Sequence, residues 1–423
     1  MKTTTYKALQ ETTYTYQHHS GLSIVVIPKP NFHKTYVTLT TPFGANTTTL
    51  HKTDTSIEIP LGTAHFLEHK LFDRDGEELS TKFAKHHASV NAYTQNNQTT
   101  YLFSCSEDLK TNLHTLIDLV YEPTFTEKGV SKEISVIAEE IDMYQDDPNA
   151  VMYETLMDNM YHNHPIKHRV LGTKESITQI TPELLNTVHK QYYHPKEMVM
   201  VIAGNVNLET IEDTLHNLII PYQEKNTTLQ ETPIQEPTDV VDDTLTLLQK
   251  DVFVPHSALG AKLDPSQLSD HHVMKQELIF AMLLELIIGK STDRYQAWIE
   301  KGYINDSFDV DITIEQDTAN VLFSCNTPQA EAFLTALDTY LQELDTLTFN
   351  ETDFLRVKKQ ILGGFIHALN SIEYIANQFT KYHFLKDDLF NILDYSKTIT
   401  LDDINHAKAI LKDAQTAKIL IKK

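Results

Sequence analysis

Thr100-Tyr101-Leu102-Phe103-Ser104-Cys105-Ser106 returns 220 residues later as Asn320-Val321-Leu322-Phe323-Ser324-Cys325-Asn326. Each copy is a β-branched and aromatic run followed by a stretch of helical period. The first stretch carries Leu109, Leu113, Leu116, Ile117 and Val120; the second carries Ala330, Phe333, Leu334, Leu337 and Leu341. A repeat at this spacing points to an internal duplication, so two similar halves are expected. Further strand-like runs are Leu22–Ile27, Thr35–Thr40 and Met198–Ala203 in the first half, and Thr244–Leu248, Val252–Leu263 and Lys418–Ile421 in the second. The expected fold class is α+β: two homologous domains, each an antiparallel-rich sheet with helices packed on one face. Residues 223–243 are polar, contain two prolines and lack sustained periodicity, which reads as a linker. That divides the chain into domains at 1–222 and 244–423.

With 423 residues, 41% of them hydrophobic, the chain is long enough for two sizeable cores. No apolar run approaches the ~18 residues of a membrane span, and Met1–Tyr6 leads into polar sequence. No signal peptide or membrane association is therefore expected, and a cytoplasmic location is the default. The formal charge of −23 argues against nucleic acid as a partner, because that requires a basic footprint. Cys105 and Cys325 are too few for a disulfide framework and end apolar runs, as buried small hydrophobes do.

Upstream of the first repeat copy stands His65-Phe66-Leu67-Glu68-His69, an H-x-x-E-H motif. Pro60-Leu61-Gly62-Thr63 supplies a helix start, and Phe66, Leu67 and Leu71 give the helix an apolar side. On a helix, positions i and i+4 share a face, so His65 and His69 can reach one cation. Glu68 lies close enough to serve a metal-bound water as general base. A catalytic zinc needs a third protein ligand, which must come from elsewhere. In Lys132–Tyr144, Ile134, Ile137, Ile141 and Tyr144 recur at helical spacing, and Glu133 and Glu140 lie two turns apart on nearly one face. Glu140 as ligand, with Glu133 as its hydrogen-bonding neighbour, would complete a His-His-Glu site. The same two carboxylates can equally be read as charges on an exposed helix face.

These motifs resemble the insulinase, pitrilysin and mitochondrial processing peptidase family, the inverzincins, which pair H-x-x-E-H with a later E-x6-E. Here Glu140 lies 71 residues after His69 and seven after Glu133. Asn91-Ala92-Tyr93-Thr94 resembles the family's substrate-edge strand. His164-Pro165 with Gly172-Thr173 also matches, and Tyr193-His194-Pro195 with Val201–Val206 resembles the closing strand of a family half-barrel, which implies two homologous half-barrel domains. The resemblance implies one Zn2+ per chain held by His65, His69 and Glu140, with Glu68 as general base, Glu133 assisting, and Asn91, Ala92, Tyr93 and Thr94 binding substrate. His86, His87, His162, His164 and His168 fit no comparable pattern. Adding the repeat offset to the motif lands on Glu285-Leu286-Ile287-Ile288-Gly289, which contains no histidine, so the second half is expected to be degenerate.

One departure bears on catalysis. Single-chain or homodimeric active members of the family usually carry in the second half an Arg and a Tyr seven residues apart; in Ala297–Asn305, Trp298 or Ile299 stands where Arg is expected and Asn305 where Tyr is expected. That pattern, with Gly289-Lys290-Ser291 and Ala368–Phe379, resembles the zinc-bearing subunits of paired bacterial members, whose sister chain lacks zinc ligands but supplies the Arg and Tyr. The expectation is a zinc endopeptidase subunit that cleaves peptides or short unfolded segments and needs a homologous partner for full activity. The rivals are a non-catalytic zinc-binding subunit of such a heterodimer and a zinc hydrolase of another bond type.

Overall fold

The computed structural model describes residues 1–51, 56–74, 77–222, 234–268, 272–315 and 317–423. Two compact units emerge, neither continuous in sequence. The first comprises Met1–Asp142, His168–Thr232 and Ala368–Phe384; the second comprises Met143–Lys167, Pro233–His367 and Leu385–Lys423.

The first unit is built on a seven-stranded sheet in the order Lys2–Tyr6, Glu11–Gln17, Ser23–Pro28, Val199–Gly204, Thr35–Thr41, Thr99–Cys105, Ala88–Thr94. Every neighbouring pair is antiparallel except Val199–Gly204 with Ser23–Pro28. All six residues of Val199–Gly204 are buried, as a near-continuous apolar strand demands when both its faces are covered. On one face Ile24, Val26, Val37, Leu39, Met200 and Ile202 form a core with helices Thr63–Phe72 and Leu109–Tyr121. On the other, helix Ile372–Phe384 packs across Val199–Gly204 and Thr35–Thr41, where the Thr380 and Thr38 hydroxyls meet at 3.3 Å.

The second unit repeats this plan with five strands: Leu245–Gln249, Gln415–Lys422, His256–Leu263, Ala319–Asn326, Asp309–Ile314. Its one parallel pair, Leu245–Gln249 with Gln415–Lys422, sits where the first sheet has its own. The two echoed segments thus occupy equivalent strands, and the two sheets share one topology. Both sheets are open. The run Val252–Leu263 starts as a strand only at His256, because Pro255 cannot donate to a ladder.

Equivalent helices are exchanged between the halves of the sequence. Pro148–Met160, from the first half, packs on His256–Leu263 and Gln415–Lys422, whereas Ile372–Phe384 packs on the corresponding strands of the first sheet. Gly260 permits the first of these approaches, since a Cβ there would fall 2.3 Å from Met160 Sδ. Of the segment read as a linker at 223–243, residues 223–233 lie outside the described residues. The remainder is anchored at Glu236, which accepts hydrogen bonds from the backbone N–H of His162, Asn163 and His164 and from buried Lys262. Among the described residues, no helix is long and apolar enough to cross a membrane.

Candidate metal centre

Helix Thr63–Phe72 starts where the sequence predicts. Gly62 takes the left-handed conformation at φ 87°, and a Cβ there would fall 2.3 Å from Leu171 O; Gly172, at φ 73°, meets Leu61 O as closely. The two glycines let the turn before the motif helix and the turn at Arg169–Gly172 lie backbone to backbone, and the Ser176 hydroxyl bonds Leu61 O at 2.8 Å. Phe66, Leu67 and Leu71 then bury, which leaves His65 and His69 on one face with ring centroids 4.5 Å apart.

Helix Glu127–Asp146 brings the carboxylates. Its buried stripe is Val130, Glu133, Ile137 and Ile141, whereas Tyr144, expected within the apolar stripe, is exposed. Glu133, only 6% exposed, accepts from His69 Nδ1 at 3.0 Å. That bond places the proton on Nδ1 and directs the Nε2 lone pair away from Glu133. Glu140 Oε2 lies 3.6 Å from His69 Nε2 and 3.8 Å from His65 Nε2. One donor atom from each of the three residues lies within 4.8 Å of the others, the only such group of three or more among the described residues. Ligands about 2.0–2.2 Å from a tetrahedral zinc stand a little over 3 Å apart, so this donor set fits that ion after small side-chain movements.

The electrostatic surroundings of the two imidazoles differ. Burial pushes the His65 imidazole down to about 3, with the neighbouring His69 adding to the effect, so it stays neutral and able to ligate. Burial alone would depress His69 too, but the hydrogen bond and charge of Glu133, with Glu68 and Glu140, raise it. Burial likewise raises Glu68, opposed by a hydrogen bond from Thr94, whose hydroxyl donates to Glu68 Oε2 at 2.6 Å. His65 Nδ1 is buried and meets no hydrogen-bond acceptor among the described residues.

The strand Ala88–Thr94 is the edge of the first sheet, and its side chains divide between two faces. Val90 and Ala92 pack on the core, and Thr94 points the same way, at Glu68. Tyr93 points oppositely, its hydroxyl donating to Asn377 at 3.3 Å. Asn91 is exposed and its Oδ1 accepts from Ala92 N at 2.9 Å. Nothing in the sequence signals the contact between Thr94 and Glu68. Beneath the site, the buried hydroxyls of Tyr101 and Tyr193 meet at 2.9 Å, and His189 stacks on Tyr193 with centroids 4.7 Å apart.

In the second unit, Glu285–Ile288 lies in the apolar helix Val273–Ile288. Trp298 is 2% exposed with its ring edge-on to Phe333 and Tyr340. Asn305 closes a turn, accepting from Ser307 N and donating to Asn326 O, both at 2.8 Å. Both residues serve packing and turn formation.

The family model described as insulinase (peptidase family M16) matches residues 58–174, and that described as peptidase M16 inactive domain matches residues 179–361. The uncharacterized zinc protease YmfH of Bacillus subtilis is 36% identical over 408 residues, 95% of this chain and 94% of its own. A second uncharacterized zinc protease of that organism, YmxG, is 32% identical over 157 residues, 36% of this chain and 38% of its own. A crystal structure of an M16-like peptidase from Alicyclobacillus acidocaldarius superposes with a TM-score of 0.89 at 25% identity, over 98% of this chain and 99% of that one.

Proposed function

The chain belongs to the insulinase family of peptidases (peptidase family M16), and on that premise we propose that it is a zinc-dependent endopeptidase subunit acting on peptides or short unfolded segments. His65, His69 and Glu140 would hold the zinc. Zinc, when bound, polarises a scissile carbonyl and acidifies a water molecule. Glu68 would take that water's proton and pass it to the leaving amine, and Thr94 holds the carboxylate for the task. Glu133 fixes the orientation of His69. Substrate would add as a strand along Asn91–Thr94, where main-chain hydrogen bonds give affinity with little sequence preference.

The observation that carries this reading is the convergence of three donor atoms from two helices, with a hydrogen-bonded Glu68 on the same motif. A purely structural zinc site gains nothing from that carboxylate. Replacing Glu68 with Gln should leave zinc stoichiometry and unfolding midpoint unchanged while cutting peptide cleavage by at least about 10²-fold. Turnover at the wild-type rate by this variant overturns the mechanism.

The roles of Trp298 and Asn305 favour partner dependence. Trp298 is buried among aromatic rings and the Asn305 amide already donates to Asn326 O, so neither supplies the donors that the oxyanion of a tetrahedral intermediate needs. A homologous subunit without zinc ligands, supplying Arg and Tyr, is the partner this reading calls for. That family members occur in more than one copy in Bacillus subtilis is consistent with pairing.

A further inference from the structure

Away from the metal centre, the second unit contains a cavity of about 520 Å³, within the range of small-molecule sites. Arg294, Lys301 and Arg356 line it together with the Ser291 and Thr292 hydroxyls, over an apolar floor that includes Trp298. In a chain of formal charge −23 this convergence is unexpected. The sequence contains only four arginines, Arg74, Arg169, Arg294 and Arg356, and two of them meet here. With Asp293 and Asp353 as the only lining carboxylates, three cations outweigh two anions.

The two guanidiniums are held in place. The Arg294 guanidinium lies 4.3 Å from the centroid of the Tyr340 ring, and the Tyr340 hydroxyl is pinned to Ile287 O at 2.6 Å. Stacking occupies the face of a guanidinium and leaves edge donors available beyond the one that reaches the Tyr340 side chain, and Arg294 makes no ion pair among the described residues. Arg356 Nη1 donates to Ser291 Oγ at 3.1 Å, and its Nε lies 3.6 Å from Asp353. Between them runs Gly289-Lys290-Ser291-Thr292, a motif with no part in the zinc chemistry. The Thr292 hydroxyl donates to Gly289 O and accepts from Tyr295 N, so this turn caps helix Asp293–Glu300 and fixes Ser291 at the cavity wall.

We propose that this cavity binds a small organic phosphate, its phosphoryl group between Arg294, Arg356 and Lys301 and its carbon body on the apolar floor. A single carboxylate has two oxygens and one charge, too few for two guanidiniums, an ammonium and a hydroxyl. A phosphate monoester brings three terminal oxygens and a charge of about −1.5 to −2, which matches that donor set.

Trp298 is the chain's only tryptophan, so its fluorescence reports on the cavity. Phenyl phosphate should quench it saturably in the full-length, zinc-loaded protein, at a midpoint at least about 3-fold below that of inorganic phosphate because the ring buries apolar area. Arg356→Gln, on an exposed helix face, should weaken binding about 10-fold or more, as should Arg294→Gln, with zinc content unchanged in both. If Arg294→Gln disturbs the Tyr340 stack, Arg356→Gln alone decides. No saturable quenching by phenyl phosphate up to about 10 mM, an undiminished response in Arg356→Gln, or equal quenching by uncharged benzyl alcohol would each overturn the proposal.

Discussion

Glu133 is a carboxylate set in a stripe of buried apolar side chains, where it is hydrogen-bonded to His69 of the metal motif. Glu140, two turns on, is half-buried and faces both imidazoles. The two glutamates should therefore fail differently. Glu140→Gln replaces an anionic donor by an amide and should lower zinc affinity more than Glu133→Gln, whose loss should be about 10–100-fold through a loosened His69. Competitive chelator titrations rank them; a Glu140→Gln protein that keeps tightly held stoichiometric zinc means the third ligand is another residue. His189 permits a separate test by pH. Burial depresses its imidazole to about 4 from 6.5, opposed by its hydrogen bond to Val120 O and aided by Lys190. The unfolded chain therefore binds the proton better. The stability from this neutral imidazole is complete above about pH 6.5 and is lost as pH falls toward about 4, by roughly 3 kcal/mol. Denaturant unfolding across that window should show a shallower decline for His189→Gln than for wild type, and parallel curves would exclude the effect.

At the scale of elements, the site depends on where two helices start and how they meet. The motif helix is positioned by backbone contact between Gly62 and Leu171 and between Gly172 and Leu61. Gly62→Ala would combine a positive φ with a Cβ 2.3 Å from a carbonyl oxygen. The left-handed conformation alone costs about 1–2 kcal/mol for a non-glycine residue, so a total loss above about 2 kcal/mol is expected, with weaker zinc binding as the helix start moves. Thermal unfolding with metal analysis checks this; an alanine variant as stable as wild type would show that the turn can relax. In the ligand helix, Ile137 and Ile141 of the expected stripe are buried and Ile134 packs against the same core, whereas Tyr144 is exposed and Glu133 takes an inward position that apolar periodicity does not mark.

For the whole molecule, duplication supplied two sheets with five strands of one topology, and among the described residues only the first unit brings together a group of side chains able to hold a metal. With Trp298 packed among aromatic rings and Asn305 closing a turn, the purified chain should bind zinc yet cleave peptides slowly. Oxyanion stabilisation is worth about 10²–10³-fold in rate, so a homologous subunit carrying the Arg and Tyr should restore that factor, and mutating the partner's Arg should remove it. Full activity from this chain alone, unchanged across protein concentration, would dismiss the heterodimer.

The α+β class, the duplication and the two histidines with their glutamate were legible in the sequence, because each rests on local period: alternation in Thr100–Cys105 and Asn320–Cys325, and one helical turn between His65 and His69. Family resemblance, more than periodicity, singled out Glu140 among many surface carboxylates. What needed the tertiary structure were relations between segments distant in sequence. Thr94 bonds Glu68 because an edge strand runs beside the motif helix, and Gly62 faces Gly172 across a backbone contact. Helices Pro148–Met160 and Ile372–Phe384 each cover the sheet of the opposite half. An amphipathic pattern states that a face must be buried, and several apolar surfaces satisfy it equally; which one does is decided by packing, which local sequence does not encode.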